Sequence, residues 1–437
     1  MKGLYRYPED YALRSASELD LALSAVPAYR DWRAADPGPQ APLDERYAAL
    51  PLLNKAHLRA HGLEAFLAPG HALAEGLARG AIDTVSTSGT TDEQVVLTWN
   101  QAWWNASEAA SWTLNQHATQ AGLADHAEAL LTSPLSTGVP SPDGKPLAMH
   151  RRRLGRFLYL NEHLDSAAWP DTHIRRMVRE LDAFRPVVLE GSPTLLARFA
   201  RRSVELGLRC WQPRLIVTSY EFPSRVLLRQ VRRAFDAPIM SSYGCTEAGC
   251  VLTQCEAGCF HQNAAFARVE FQPLAARFGK PGVGRIALTS FGNPWRVLLR
   301  FDVGDLIRLR PPETPCACGR TDGIVADAVE GRVNDVTFDA RGQLVTVDEL
   351  DRRASGVNDV LEYQVTQNAT DSWTACAVCG RDGAIAELAA ALGDLYGGRV
   401  AVALVAAIPA EVSGKHRLAR CAASFSEAMF EGPMRAP

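Results

Sequence analysis

Five hydroxyl side chains and one glycine fall within the seven residues Val85-Ser86-Thr87-Ser88-Gly89-Thr90-Thr91. Gly89 lacks a Cβ, so backbone N–H groups around it can close on an anion, and Thr87, Ser88, Thr90 and Thr91 add hydroxyl donors. Phosphate oxygens are the natural guest; an ordinary Ser/Thr-rich turn is the competing reading. The β-prone run Gln94-Val95-Val96-Leu97-Thr98-Trp99 follows at once, so the stretch reads as strand, tight polar loop, strand. Thiols offer a second chemistry. Of ten cysteines, Cys245, Cys250, Cys255 and Cys259 fall in one window, Cys316 and Cys318 in another, Cys376 and Cys379 in a third. In a chain that is neither small nor visibly secreted, such clustering favours metal over disulfides.

Three more segments follow in order: Ser241-Ser242-Tyr243-Gly244-Cys245-Thr246-Glu247, then Arg300-Phe301-Asp302-Val303-Gly304-Asp305-Leu306, then Glu330-Gly331-Arg332-Val333-Asn334-Asp335. With the hydroxyl-rich loop they resemble the adenylate-forming superfamily of acyl-CoA synthetases, luciferases and peptide-synthetase adenylation domains. Within it the chain most resembles the phenylacetate–coenzyme A ligase family. The likeness runs from Val26-Pro27-Ala28-Tyr29-Arg30 and Leu50-Pro51-Leu52-Leu53-Asn54-Lys55 to Ser413-Gly414-Lys415.

The resemblance implies ATP-dependent activation of a carboxylic acid as acyl-AMP, with release of pyrophosphate and transfer to the thiol of coenzyme A. It favours an aromatic acid. A stand-alone adenylating enzyme that loads an acyl carrier protein or an amine is the near alternative, and a catalytically silent nucleotide-binding homologue the distant one. Two anions must meet in line while charge builds on phosphorus, so catalysis rests on positioning and on cations or donors around the phosphates. By resemblance, Thr87, Ser88, Gly89, Thr90 and Thr91 hold the β- and γ-phosphates. Thr246 donates to the α-phosphate, and Glu247 holds Mg²⁺, a cation that prefers carboxylate and water oxygens. Tyr243 and Gly244 lie along the adenine, Asp305 accepts from the ribose hydroxyls, and Arg332 reaches ribose or phosphate. Lys415 bridges carboxylate and α-phosphate as a point charge.

The chain departs from the family pattern at Asp92, where a glycine is usual, followed by Glu93. Two carboxylates beside a polyphosphate are unfavourable unless Mg²⁺ or a turn carries them away. Gln254-Cys255-Glu256-Ala257-Gly258-Cys259-Phe260-His261 and Pro315-Cys316-Ala317-Cys318-Gly319 resemble a paired segment of some family members, implying a closed structural zinc site of Cys255, His261, Cys316 and Cys318. Cys259 can replace Cys255 or His261 on sequence grounds. Arg151-Arg152-Arg153 with Arg156 reads as a solvated basic loop before it reads as a contact for the coenzyme A 3′-phosphate.

These residues need a scaffold. Residues 1–80 are rich in helix formers, and a helix is predicted from Trp103 to about Ala121. Pro186 to Pro193, Arg214 to Thr218 and Ala237 to Met240 are strand candidates, separated by helical stretches at Thr194–Leu206 and Ser224–Phe235. That alternation predicts an α/β fold with a parallel sheet flanked by helices, whose ligands gather beyond the strand carboxyl ends. A large adenylation domain over residues 1–334 and a small mobile α+β domain over 335–437 suit the length of 437 residues. A formal charge of −3 gives no reason to expect nucleic acid or an anionic membrane. The absence of a signal-like or spanning apolar run predicts a cytoplasmic protein. Oligomeric state is not legible.

Overall fold

A computed structural model describes residues 5–87, 95–122, 126–135, 140–141, 145–422 and 427–437. Ser88, Gly89, Thr90, Thr91, Asp92 and Glu93 lie outside the described residues, as do residues 136–139.

The frame is a mixed twelve-stranded sheet. Its parallel part runs Phe157–Tyr159, Glu128–Leu131, Val188–Gly191, Leu215–Thr218, Ile239–Cys245. These strands lack an alternation of apolar and polar residues: Val188, Leu189, Leu215, Ile216 and Val217 are all buried, as expected for strands covered on both faces. On one face Leu131, Leu158, Leu189 and Ile216 pack against Ile174, Met177, Leu196, Phe199 and Leu227 of the helices Asp171–Phe184, Pro193–Glu205 and Arg225–Val231. On the other, Val188, Leu215, Val217 and Met240 meet Trp112, Ala118 and Ala121. The single helix predicted over 103–121 is two, Gln101–Trp112 and Gln116–Ala121. The break is local chemistry: the Asn115 side chain accepts from His117 N and Ala118 N, capping a new start.

Beyond Ile239–Cys245 the sheet turns antiparallel, through Gly249–Gln254, Phe260–Gln262, Val325–Arg332, Phe301–Leu309, Val283–Ser290 and Ala267–Pro273. The N-terminal helical region buries Leu19, Tyr29, Tyr47 and Leu53 against this half. A separate four-stranded sheet orders Val400–Leu404, Ser372–Cys379, Val360–Ala369 and Ala419–Cys421, with helices Val347–Ser355 and Gly383–Tyr396. It docks on the helices of the large sheet. Arg198 gives two hydrogen bonds to Glu362 at 3.0 and 2.6 Å, both side chains being buried, and Val226 joins the small sheet's core. The chain then returns to the large sheet, where Arg435 bridges Phe271 and Phe430 bridges Leu274. Among the described residues no helix is long and apolar enough to cross a membrane.

Candidate active site

Tyr243 and Gly244 lie on the last parallel strand, where pairing switches direction. A Cβ on Gly244 would stand 2.4 Å from the Gly249 carbonyl oxygen, so only glycine fits this crossing. Tyr243 Oη donates to Asp305 Oδ2 at 2.7 Å, and Arg332 Nε stands 3.5 Å from Asp305 Oδ1. Asp305 and Arg332 are register partners on neighbouring strands, so the backbone itself sets this pair. Burial first, then the Asp305 carboxylate, push the Tyr243 hydroxyl well above its ordinary value, so it stays a proton donor.

Thr246 and Glu247 form the turn after that strand, with Glu247 buried. Beneath the turn lies Arg296. Its Nη2 donates to Thr246 O at 3.0 Å and Glu247 O at 2.7 Å, and its Nη1 to Thr98 O at 3.0 Å. One buried guanidinium thus ties the Thr246-Glu247 turn to the hairpin of Asp83–Ser86 and Val96–Trp99. Burial lowers its pKa, opposed by the nearby Glu247 charge. Thr87 closes the base of the hairpin loop: its N–H donates to Val95 O at 2.8 Å, and its hydroxyl oxygen accepts from Val95 N at 3.2 Å.

Lys415 reaches this cleft from the far end of the sequence. Gly414 N donates to Glu411 O, and Glu411 N to Lys415 O, making a tight turn. Gly414 has φ +77°, and a Cβ there would meet Ser133 Oγ at 2.1 Å, so the turn lies directly on the segment after strand Glu128–Leu131. His416 N and Nδ1 approach Glu221 Oε1 at 3.0 and 3.3 Å, while Glu221 Oε2 accepts from Thr194 N at 3.3 Å. Burial and the Arg332 charge push the Lys415 ammonium down to about 8, with Glu221 and Asp305 opposing. The lysine therefore feels the charges of Arg332, Glu221 and Asp305.

The sulfur sites also converge. The ligand atoms of Cys255, His261, Cys316 and Cys318 all lie within 4.8 Å of one another. Cys255 Sγ is 3.6 Å from Cys316 Sγ, and Cys318 Sγ is 3.2 Å from His261 Nε2. A tetrahedral zinc with bonds of about 2.0–2.3 Å has edges of about 3.3–3.8 Å, so the donor set fits that ion. Cys259 also packs beside Cys316 and is hydrogen-bonded to it, while its Sγ accepts from Arg310 Nη1 at 3.7 Å; it is not among the four mutually close donors. Glu162, His163 and His173 form another compact group. There Arg176 Nη2 donates to His173 Nδ1 at 3.0 Å and Glu162 Oε2 at 2.6 Å, which puts the imidazole proton on Nε2 and leaves no lone pair for a cation.

Arg296 has no part in the motif reading because its chemistry depends on three carbonyls brought together from distant segments. Glu221 likewise has no local spacing that would signal its grip on His416. Glu128 and Glu190 escape motif reading for the same reason, being single acids in otherwise apolar strands.

No family model matches the chain. Over 216 residues it is 26% identical to Protein CapK of Staphylococcus aureus, a match covering 49% of this chain and 46% of that protein, so it spans less than half of that curated relative. The fold superposes on 2-hydroxyisobutyryl-CoA ligase in its postadenylation state with R3-HIB-AMP at TM-score 0.68 and 17% identity, over 96% of this chain and 90% of that one. The open conformation of the same ligase with 2-HIB-AMP and CoA gives 0.57 at 18% identity, over 92% and 89%. Its thioesterification state gives 0.55 at 18% identity, over 92% and 88%. The chain therefore has the fold of adenylate-forming enzymes, a mixed α/β frame with a large sheet flanked by helices.

Proposed function

We propose that the protein activates a carboxylic acid with ATP and passes the acyl group to coenzyme A, as an AMP-forming acid–thiol ligase. A carboxylate oxygen attacks the α-phosphorus, the bond to the β-phosphate breaks, and pyrophosphate leaves. A thiolate then attacks the acyl carbonyl carbon and AMP departs. The observation that carries the reading is the Tyr243–Asp305–Arg332 group on the large sheet together with the Gly414-Lys415-His416 turn from the far end of the chain, seated on Ser133 and Glu221. In this reading Lys415 neutralises the two approaching anions, Thr246 donates to the α-phosphate, and Asp305 with Tyr243 and Gly244 orients the nucleoside. Arg332 reaches ribose or phosphate, and Thr87, Ser88, Gly89, Thr90 and Thr91 hold the leaving phosphates. Glu247 would hold Mg²⁺, which offsets polyphosphate charge. Cys255, His261, Cys316 and Cys318 would hold a structural zinc that pins two loops and leaves no open position for chemistry. The small sheet and its helices, from residue 335 to 422, would act as the moving part against residues 1–334, with residues 427–437 staying paired to the large sheet. An aromatic acid is supported by the family resemblance alone, and a carrier-protein thiol is the alternative acceptor.

The test is ATP–pyrophosphate exchange with a panel of aromatic, arylacetic and aliphatic acids. Acid-dependent exchange in the native protein, abolished in Lys415→Ala with ATP binding retained, is expected. Unchanged exchange in that variant would remove Lys415 from the mechanism. ATP binding without exchange for any acid would support the silent homologue.

A further inference from the structure

Lys415 lies in the segment 405–418, which links the strand Val400–Leu404 to the strand Ala419–Cys421. Ala419 pairs with Val365 in parallel register, Val365 N donates to Leu418 O at 2.9 Å, and Gln364 Nε2 donates to Arg417 O at 2.8 Å. Carried back to Glu362, the same offset reaches His416, the neighbour of Lys415, and both residues line one small cavity between the two bodies. Whatever fixes Glu362 therefore fixes the strand beside the lysine.

Arg198, on the helix Pro193–Glu205, does so from the large body. Its Nε and Nη2 donate to Glu362 Oε1 and Oε2 at 3.0 and 2.6 Å. Its Nη2 also donates to Ile408 O at 2.6 Å, and its Nη1 to Ser166 Oγ at 2.7 Å. One guanidinium thus holds the lysine-bearing segment near its start, through Ile408, and beside its end, through Glu362. The two side chains are 3% and 4% exposed. Arg201 Nη2 adds a bond to Glu362 Oε1 at 3.0 Å. Burial alone would raise the Glu362 carboxyl, but the bonds and charges of Arg198 and then Arg201 more than offset it and hold it below its ordinary value, so the pair is ionised.

The seam around this pair is polar. Ser224 Oγ donates to Asp351, Arg229 Nη2 to Val360 O at 3.1 Å, and Gln230 Nε2 to Leu361 O. Among the described residues, the large body gives the small sheet's core only Val226 and the partly buried Phe222. Polar side chains regain hydration when such a seam opens, whereas an apolar seam would lose its burial, so this one suits bodies that part and rejoin. A buried ion pair behaves in the same way. Its attraction is largely offset by the hydration both charges surrender, while either charge left buried alone is heavily penalised. The pair fixes an orientation without cementing it.

We propose that Arg198 and Glu362 are positioning residues for Lys415: paired, they seat its turn in the cleft for adenylation, and parted into water they let it withdraw for acyl transfer. This inference rests on the adenylating reading and on the small sheet being the moving part.

The experiment measures the two half-reactions separately in Glu362→Gln, using the acid that supports exchange in the native protein. ATP–pyrophosphate exchange should fall by about tenfold or more in kcat with the KM for ATP unchanged, because Arg198 is left buried beside a neutral amide. Transfer from preformed acyl-AMP to coenzyme A should stay at the native rate or quicken. A general structural defect would slow both steps alike, so an equal fall overturns the inference, as does native exchange. Arg198→Lys keeps the charge but loses the fork to Glu362 and Ile408. It should show the same split more weakly and takes the place of Glu362→Gln if that variant does not fold; a uniform loss, or none, overturns the inference there too. No exchange by the native protein with any acid defeats the adenylating reading instead. Amide hydrogen exchange then decides the latch: faster exchange across residues 405–418 in Glu362→Gln, with the helix Asp171–Phe184 unchanged, sustains it, and unchanged exchange across 405–418 overturns it.

Discussion

Gly414→Ala tests the placement of the turn that carries Lys415 more sharply than removal of Lys415 does, because it keeps the charge and changes only the fit. The added Cβ would lie 2.1 Å from Ser133 Oγ and 2.8 Å from Ser133 Cβ. It would also sit at φ +77°, where an L side chain costs about 1–2 kcal/mol. Overpacking against a neighbour that cannot fully retreat adds about 1–3 kcal/mol. Together about 2–5 kcal/mol would be set against the turn's seat over the cleft, a loss of roughly 30-fold to several thousand-fold in adenylation. The double variant Gly414→Ala with Ser133→Gly removes the steric share. It should recover all but about 1–2 kcal/mol, leaving a deficit of roughly 5- to 30-fold against Ser133→Gly alone. Acid-dependent pyrophosphate exchange is the assay, with ATP binding measured beside it. Native exchange in Gly414→Ala, or no recovery in the double variant, would refute the argument that this turn works while seated on Ser133.

Two further outcomes follow from the same geometry. Purified protein should carry about one zinc per chain by metal analysis, and Cys316→Ser should lose it with a lower melting temperature, while Cys376→Ser should not; metal-free protein of unchanged stability would remove zinc from the account. Burial depresses the Lys415 pKa in the folded protein, so the lysine is charged below about pH 8 and neutral above it. The adenylation kcat/KM should therefore be level up to that point and fall as pH rises through it, a limb that Lys415→Arg moves out of range because guanidinium stays protonated. A limb unmoved by that substitution would belong to another group.

The parallel strands were legible because Val188-Leu189 and Leu215-Ile216-Val217 are apolar on both faces, a pattern that leaves few alternatives. Thiol clustering favoured metal over disulfides, the pairing of the two cysteine segments came from the family resemblance, and the quartet of Cys255, His261, Cys316 and Cys318 lies together. Boundaries were harder. The break at Thr113 to Asn115 rests on one side-chain cap, which periodicity cannot weigh against continued helix. Ser224–Phe235 shortens to Arg225–Val231, because tertiary packing sets where the helix stops. Residues whose role lies in contacts between distant segments left no trace in spacing. Arg296 is buried under three carbonyls, and nothing in its immediate neighbours distinguishes it from a surface arginine.

The return of the chain from Ala419–Cys421 to Ala267–Pro273 makes the four-stranded sheet a loop on the large frame rather than a pendant at its end. It is joined once at Arg332 to Thr337 and again between Cys421 and Met429, where Ala275 N donates to Met429 O at 2.8 Å. A body on one cord can spin; a body on two can only swing about the line between its moorings. Any travel that lifts Lys415 from Ser133 is confined to arcs that both cords allow. Cutting the second mooring, by deleting residues 427–437, would widen that arc, and it would do so without touching a residue of the cleft.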